Sequence, residues 1–173
     1  MKIAITGHTR GLGRACARIF EQNNIIVGLS RSNGFDINDI QKIADAAESA
    51  DVFINNAYCG YQQSYLLEEM FKRWSDVNKC IVNIGSACTI YPRIEQHLDL
   101  QPWPYRDHKK SLETMFRHLT RQRAECKLQL IVPGAIDTQM IEHLDCKKIP
   151  PMDVAEIIKR NLGSKVSEIV IHE

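Results

Sequence analysis

The amino-acid sequence predicts an α/β protein, a doubly wound parallel sheet in three α/β/α layers, and three observations lead there. Short runs of β-branched and aliphatic residues alternate with helix-length stretches along most of the 173 residues. The first run is followed at once by a glycine-rich turn that leads into a helical pattern. The residues able to do chemistry fall at the ends of strands or on the helix that follows. Right-handed crossovers between such strands put a ligand at their carboxyl ends.

The elements follow in order. Ile3-Ala4-Ile5 centres a strand over 2–6, and the turn Gly7 to Gly13 opens a helix over 11–22. A second strand covers 25–30. Between Arg31 and Asp36 stand only four residues, too few for a helix and its turns, which need about a dozen. A helix over 38–50 follows, with Asp36 and Asn38 as competing caps. Further strands are expected at 51–55, 79–85, 127–132 and 167–171, and further helices at 63–75, 104–125 and 151–162. In the 104–125 helix, Leu112, Met115, Phe116 and Leu119 recur at helical spacing and read as core.

Composition narrows the classes. The chain reads as one domain, 1–173, with 44% hydrophobic and 25% charged residues. A net charge of +1 with dispersed Lys and Arg argues against nucleic acid or an acidic membrane as partner. No apolar stretch reaches the ~18 residues of a membrane span, and the first residues read as a strand without a signal-peptide core. A cytoplasmic protein is expected. Six cysteines (16, 59, 80, 88, 126, 146) form no C-x-x-C pair, so free thiols are expected, with Cys16 and Cys80 as small core residues. His97 and His108 lack a third partner at metal-like spacing, so no metal is expected.

The chemistry rests on two features. In Thr6-Gly7-His8-Thr9-Arg10-Gly11-Leu12-Gly13 the glycines allow a sharp bend and the approach of a pyrophosphate to helix N-terminal amides. Tyr105 and Lys109, at i and i+4, share a helix face. An ammonium beside a phenol lowers its pKa, which suits proton transfer to a carbonyl oxygen. A dinucleotide turn with such an acid points to hydride transfer. Charge argues the cofactor: the second strand ends in Ser30-Arg31-Ser32, with no carboxylate for ribose hydroxyls. Arg31 can clamp a 2′-phosphate, which favours NADP (NADPH).

Five patches in order carry a family resemblance. They are the opening turn (T-G-x-x-x-G-x-G), Asn55-Asn56-Ala57-Tyr58 (N-N-A-G except at its last position), and Ile81-Val82-Asn83-Ile84-Gly85-Ser86. Tyr105-Arg106-Asp107-His108-Lys109 (Y-x-x-x-K) and Val132-Pro133-Gly134-Ala135-Ile136-Asp137-Thr138 (P-G-x-x-x-T) complete the set. The chain resembles the short-chain dehydrogenase/reductase (SDR) family, in a shortened, minimal form of its Rossmann-type fold.

The resemblance implies catalytic roles for Ser86, Tyr105 and Lys109. Tyr105 is the general acid/base, Lys109 lowers its pKa and bonds the nicotinamide ribose, and Ser86 holds the carbonyl oxygen. It implies that Gly7, Thr9, Arg10, Gly11, Leu12, Gly13, Ser30 and Arg31 bind the cofactor, with Arg10 directed toward the Arg31 region. Asp36 and Ile37 contact the adenine, and Asn55, Asn56 and Ala57 line the floor under the adenosine ribose. Pro133, Gly134, Ile136 and Thr138 border the nicotinamide. Against the family pattern, the helix after the second strand is deleted and a third strand is vestigial, at Gly34-Phe35. The asparagine that acts fourth is missing, with Gln62 or Gln63 near its place. The substrate loop after Thr138 is cut to about a dozen residues. The 19-residue interval from Ser86 to Tyr105, rich in proline and aromatics, is expected to be a structured loop over the site. The implied protein is an NADP-dependent oxidoreductase acting on a small carbonyl or alcohol, and a homodimer. A non-catalytic NADP(H) sensor of the same fold is the alternative, and a nucleotide-sugar epimerase or dehydratase is disfavoured for want of a C-terminal substrate domain.

Overall fold

Six parallel strands form one sheet in the order β2-β1-β3-β4-β5-β6 in the computed structural model, which describes residues 1–90 and 102–172. The strands are β1 (Lys2–Thr6), β2 (Ile25–Leu29), β3 (Val52–Asn55), β4 (Cys80–Ile84), β5 (Lys127–Pro133) and β6 (Glu168–Ile171). The helices are α1 (Gly11–Phe20), α2 (Ile40–Ala47), α3 (Gln62–Trp74), α4 (Pro102–Leu119) and α5 (Pro151–Asn161). The order reverses between β1 and β3, so the strand ends there open onto a crevice, the usual ligand position in such sheets.

Alternation along each strand builds two cores. Ala4, Phe53, Ile81 and Leu130 face α2, α3 and α4, where Leu66, Met70, Trp74, Leu112 and Phe116 complete one apolar layer. Ile3, Ile5, Ile54, Val82 and Ile131 face the other way, onto Cys16 and Phe20 of α1 and Val154 and Ile158 of α5. That is the expected α/β/α sandwich. Leu112, Phe116 and Leu119 are core as expected, with Met115 partly buried against them. No disulfide joins the six cysteines, and burial pushes Cys16 up to about 12 and Cys80 to about 11. No helix among the described residues is long and apolar enough to cross a membrane.

Several expected boundaries move. Gly34-Phe35 forms no strand, and β2 is the sheet edge. A single 3-10 turn, Arg31–Asn33, stands in the interval too short for a helix. Asn33 explains the stop: its side-chain amide donates to Gly28 O at 2.6 Å and its Oδ1 accepts from Ser30 N at 2.9 Å, engaging two main-chain groups at the end of β2. Neither Asp36 nor Asn38 caps α2. Asp39 does, accepting from Lys42 N, while Asp36 Oδ1 accepts from the main-chain and side-chain N–H of Asn38. The helix expected over 104–125 runs from 102 to 119. It ends where Thr120 Oγ1 donates to Arg117 O and Glu125 N turns to Ser75 O, aligning the chain for β5. The expected loop over the site falls largely on residues 91–101, outside the described residues.

Candidate active site

The glycine turn is held from both sides. Gly7 N donates to Leu29 O at 2.7 Å, which fixes the turn beside the end of β2. Gly7 and Gly11 adopt φ of 68° and 51°, in the left-handed region. A Cβ on Gly13 would lie 2.2 Å from Gly7 O, so only glycine lets α1 pack this close to the turn. Thr6 Oγ1 accepts from Asn56 N and Ala57 N at 2.9 Å each, tying the end of β3 to the same corner. On the far side Thr138 touches Gly11: a Cβ there would come within 3.1 Å of the threonine methyl. The segment after β5 therefore meets the turn. Among the described residues no side chain caps α1, which leaves its first N–H groups without a capping oxygen. A close-packed glycine cradle with open amides fits a dinucleotide pyrophosphate.

Two of the expected cofactor residues offer only their main chain to the crevice. Leu12 and Ile37 turn their side chains into the core. Asn55 corrects the reading more sharply. It is fully buried and cannot line a ribose floor; its Nδ2 donates to Gln63 O and Asn83 Oδ1. Its Oδ1 has no hydrogen-bond partner among the described residues. Asn56, Ala57, Pro133, Gly134, Ile136 and Thr138 stay at the strand ends, where Ile136 pairs with Ile149 to close the shortened loop.

Ser86, Tyr105, Lys109 and Gln63 come together where β4 meets α4. The phenol of Tyr105 and the hydroxyl of Ser86 share a hydrogen bond. The Lys109 ammonium, 3% exposed, donates to Gln63 Oε1 at 2.9 Å and to Ile84 O at 2.7 Å. Gln63 Nε2 donates to Asn55 O at 2.6 Å and Ile84 O at 3.1 Å, which fixes its amide with the oxygen toward Lys109. Of the two glutamines near the missing asparagine, Gln63 is the one in contact. Lys109 has three N–H donors and spends two on these partners.

The electrostatics depart from the sequence reading. Lys109 was expected to hold the phenol down, yet burial pushes Tyr105 well above the ordinary tyrosine range. The nearby Cys88 adds to this, and the Ser86 hydrogen bond only partly opposes it. The ammonium stands 5.7 Å from the Tyr105 ring centroid and is bonded away from it. The phenol is therefore protonated at neutral pH, the form that donates. Burial lowers Lys109 to about 8, against the neighbouring Cys88 and Glu113, which favour its charge.

Three features escaped the sequence. Tyr58, at the position of the motif's glycine, packs edge-on to Tyr105 with centroids 4.8 Å apart, and its hydroxyl stands 2.9 Å from His108 Nδ1. Lys109 Nζ also lies 5.7 Å from the Tyr58 ring centroid, so two rings cover the ammonium. Glu113, buried one turn beyond Lys109, accepts from Thr89 Oγ1 and pairs with Arg117, and burial raises its pKa. His8 in the glycine turn stands 2.9 Å, Nδ1 to Oγ, from Ser30. Two had a sequence signal: Tyr58 as the departure from N-N-A-G, and Glu113 in the Tyr105-Lys109-Glu113 stripe at i, i+4 and i+8.

No protein-family model and no curated protein matches the chain. Solved structures do. The chain is similar to the 3-alpha-hydroxysteroid dehydrogenase from Pseudomonas sp., a complex with NADH, at 16% identity over 99% of this chain and 94% of that one, with a TM-score of 0.77. It is similar to a short chain dehydrogenase from Burkholderia cenocepacia in complex with NADP, at 16% identity over 99% and 88% of the two chains, with a TM-score of 0.76. The bulky-bulky ketone specific alcohol dehydrogenase from Comamonas testosteroni matches at 15% identity over 98% and 85%, with a TM-score of 0.77. At these identities the likeness defines the fold. The chain has the Rossmann-type fold of the short-chain dehydrogenases/reductases.

Proposed function

We propose that this chain is an NADP-dependent oxidoreductase of the short-chain dehydrogenase type, with a small carbonyl or alcohol as substrate and Tyr105 as general acid/base. The observation that carries the reading is the convergence of Ser86, Tyr105 and Lys109 beside the glycine cradle. The neighbours' complexes with NADH and NADP support a nicotinamide cofactor. The absence of a carboxylate from Ser30-Arg31-Ser32 favours NADP.

In this reading the main chain of Gly7, Gly11, Leu12 and Gly13 holds the pyrophosphate. Thr9, Arg10, Ser30 and Arg31 receive the 2′-phosphate, and Asp36 and Ile37 the adenine. Asn56 and Ala57 support the adenosine ribose, and Pro133, Gly134, Ile136 and Thr138 border the carboxamide. Asn55 acts from behind, by holding Gln63. When bound, the nicotinamide supplies or accepts the hydride. Ser86 orients the substrate oxygen and stabilises charge on it, and Tyr105 passes it the phenolic proton. Lys109 offers its remaining N–H to the ribose, while Gln63 does the holding the missing asparagine would do. The protein acts as one cytoplasmic domain, paired as a homodimer.

A sensor without turnover has one observation in its favour: the Lys109 ammonium is bonded inward and covered by Tyr58 and Tyr105. Fluorescence titration with NADPH and NADH tests the cofactor half of the proposal. NADPH is expected to bind at least ~10-fold more tightly, a difference that Arg31→Ala reduces. Equal affinities, or an unchanged preference in Arg31→Ala, would refute it.

A further inference from the structure

His8 is built into the nucleotide corner in a way the catalytic reading does not use. A Cβ on Gly28 would lie 2.3 Å from His8 Nε2 and 2.4 Å from Cδ2 and Cε1. Near-equal distances to three ring atoms mean that the imidazole lies face-on over Gly28. Glycine weakens a strand interior, and Gly28 does not have a positive φ. Room for the His8 ring is its physical reason. The ring's Nδ1 stands 2.9 Å from Ser30 Oγ, whose other side-chain neighbours, Asn33 Oδ1 and Ser32 Oγ, lie at 3.4 and 3.5 Å. His8 is thus the main partner of the hydroxyl that ends β2, where ribose hydroxyls are read in this fold.

The charged groups at this corner are Arg10 before α1, Arg31 in the turn after β2, and Asp36 before α2. The Asp36 carboxylate already accepts two N–H bonds from Asn38. β2 itself carries no charged residue. His8 is half-buried, and burial lowers its pKa, so it is neutral at pH 7 when the site holds no anion. A phosphate monoester brings nearly two negative charges and reverses that preference.

We infer that His8 is a selectivity residue of the nucleotide site. With a ribose 2′-phosphate in place, its imidazole takes a proton from solvent and joins Arg10 and Arg31 as a third cation. Preference for NADP(H) over NAD(H) therefore grows as pH falls through the histidine's titration. The inference rests on the proposed nucleotide binding.

The test follows the His8 ring by NMR in the unaltered protein, with adenosine 2′,5′-bisphosphate and with adenosine 5′-monophosphate. The 2′,5′-bisphosphate is expected to raise the His8 titration midpoint by about one unit, and the monophosphate to leave it in place. In parallel, the NADPH/NADH affinity ratio is measured between about pH 8 and pH 6.5 in the wild type and in His8→Gln. The ratio should rise ~5-fold more in the wild type; titration of the phosphate itself is common to both proteins. Binding of the bisphosphate without a shift of His8 overturns the inference alone. Failure of every nucleotide to bind overturns the proposed function with it.

Discussion

Gln63 shows how much one side chain decides at this site. Its amide N–H groups take two buried carbonyls, so its oxygen is left for Lys109 and the ammonium is pinned at the junction of β4 and α4. Gln63→Leu removes an acceptor and two donors from a buried cluster. It should lower stability by about 2 kcal/mol in chemical denaturation and weaken NADPH binding. Lys109 also links stability to pH. Its pKa is about 8 in the fold against an ordinary 10.5, so between those values the unfolded chain binds more protons. Lys109 therefore contributes stability that grows as pH rises through that window, opposite in sign to the raised thiols of Cys16 and Cys80, so the wild type should gain stability relative to Lys109→Met across it; denaturation midpoints of the two proteins at several pH values measure it. Ser86, Tyr105 and Lys109 were legible because their spacing carries the chemistry. Gln63 was legible only as one of two neighbours, since the phase of α3 against β3 decides which is buried. The His8–Ser30 and Tyr58–His108 pairs were not legible, because each needs a register or a helix position that no local pattern encodes.

Among the elements, the trimmed edge is the most informative. Counting residues between Arg31 and Asp36 was enough to exclude a helix, because chain length alone sets that limit. It was not enough to exclude a strand at Gly34-Phe35, because the stop depends on Asn33 reaching back to Gly28 and Ser30. The end of α4 is hidden for a similar reason: residues 120–125 are polar enough for a helix surface, and the Thr120 bond to Arg117 O with the tie from Glu125 to Ser75 bends them away. Next to this edge, α2 is joined to α3 by Arg73, which bonds Glu69, Asp45, Glu48 and Gln41. Such a network on a half-buried arginine exceeds an isolated surface pair. Arg73→Ala should lower stability by about 1–2 kcal/mol, and more at low salt than at high salt. A change within ~0.3 kcal/mol would show that α2 is held by its apolar face alone.

At the scale of the whole molecule, the sheet order follows from alternation, and the site follows from the order. The connections leaving β1 and β3 diverge at the crevice, and the glycine turn, Asn56 and Thr138 converge there from distant parts of the chain. Assembly belongs to this scale too. The proposed homodimer is expected to use the outer face of α3 and its approach, where Tyr65 and the preceding Tyr61 are exposed. Sedimentation should give a dimer, weakened by Tyr65→Glu; a stable tetramer would contradict this.

The central claim, that Tyr105 is the proton donor of an NADPH-dependent reductase, is tested most directly by NADPH oxidation with a panel of aldehydes and ketones. Wild type and Tyr105→Phe are compared after NADPH binding has been verified for both. The wild type is expected to turn over at least one carbonyl compound, and Tyr105→Phe to lose that turnover with cofactor affinity retained. Tight NADPH binding with no Tyr105-dependent oxidation across the panel would contradict it and leave the sensor reading in its place.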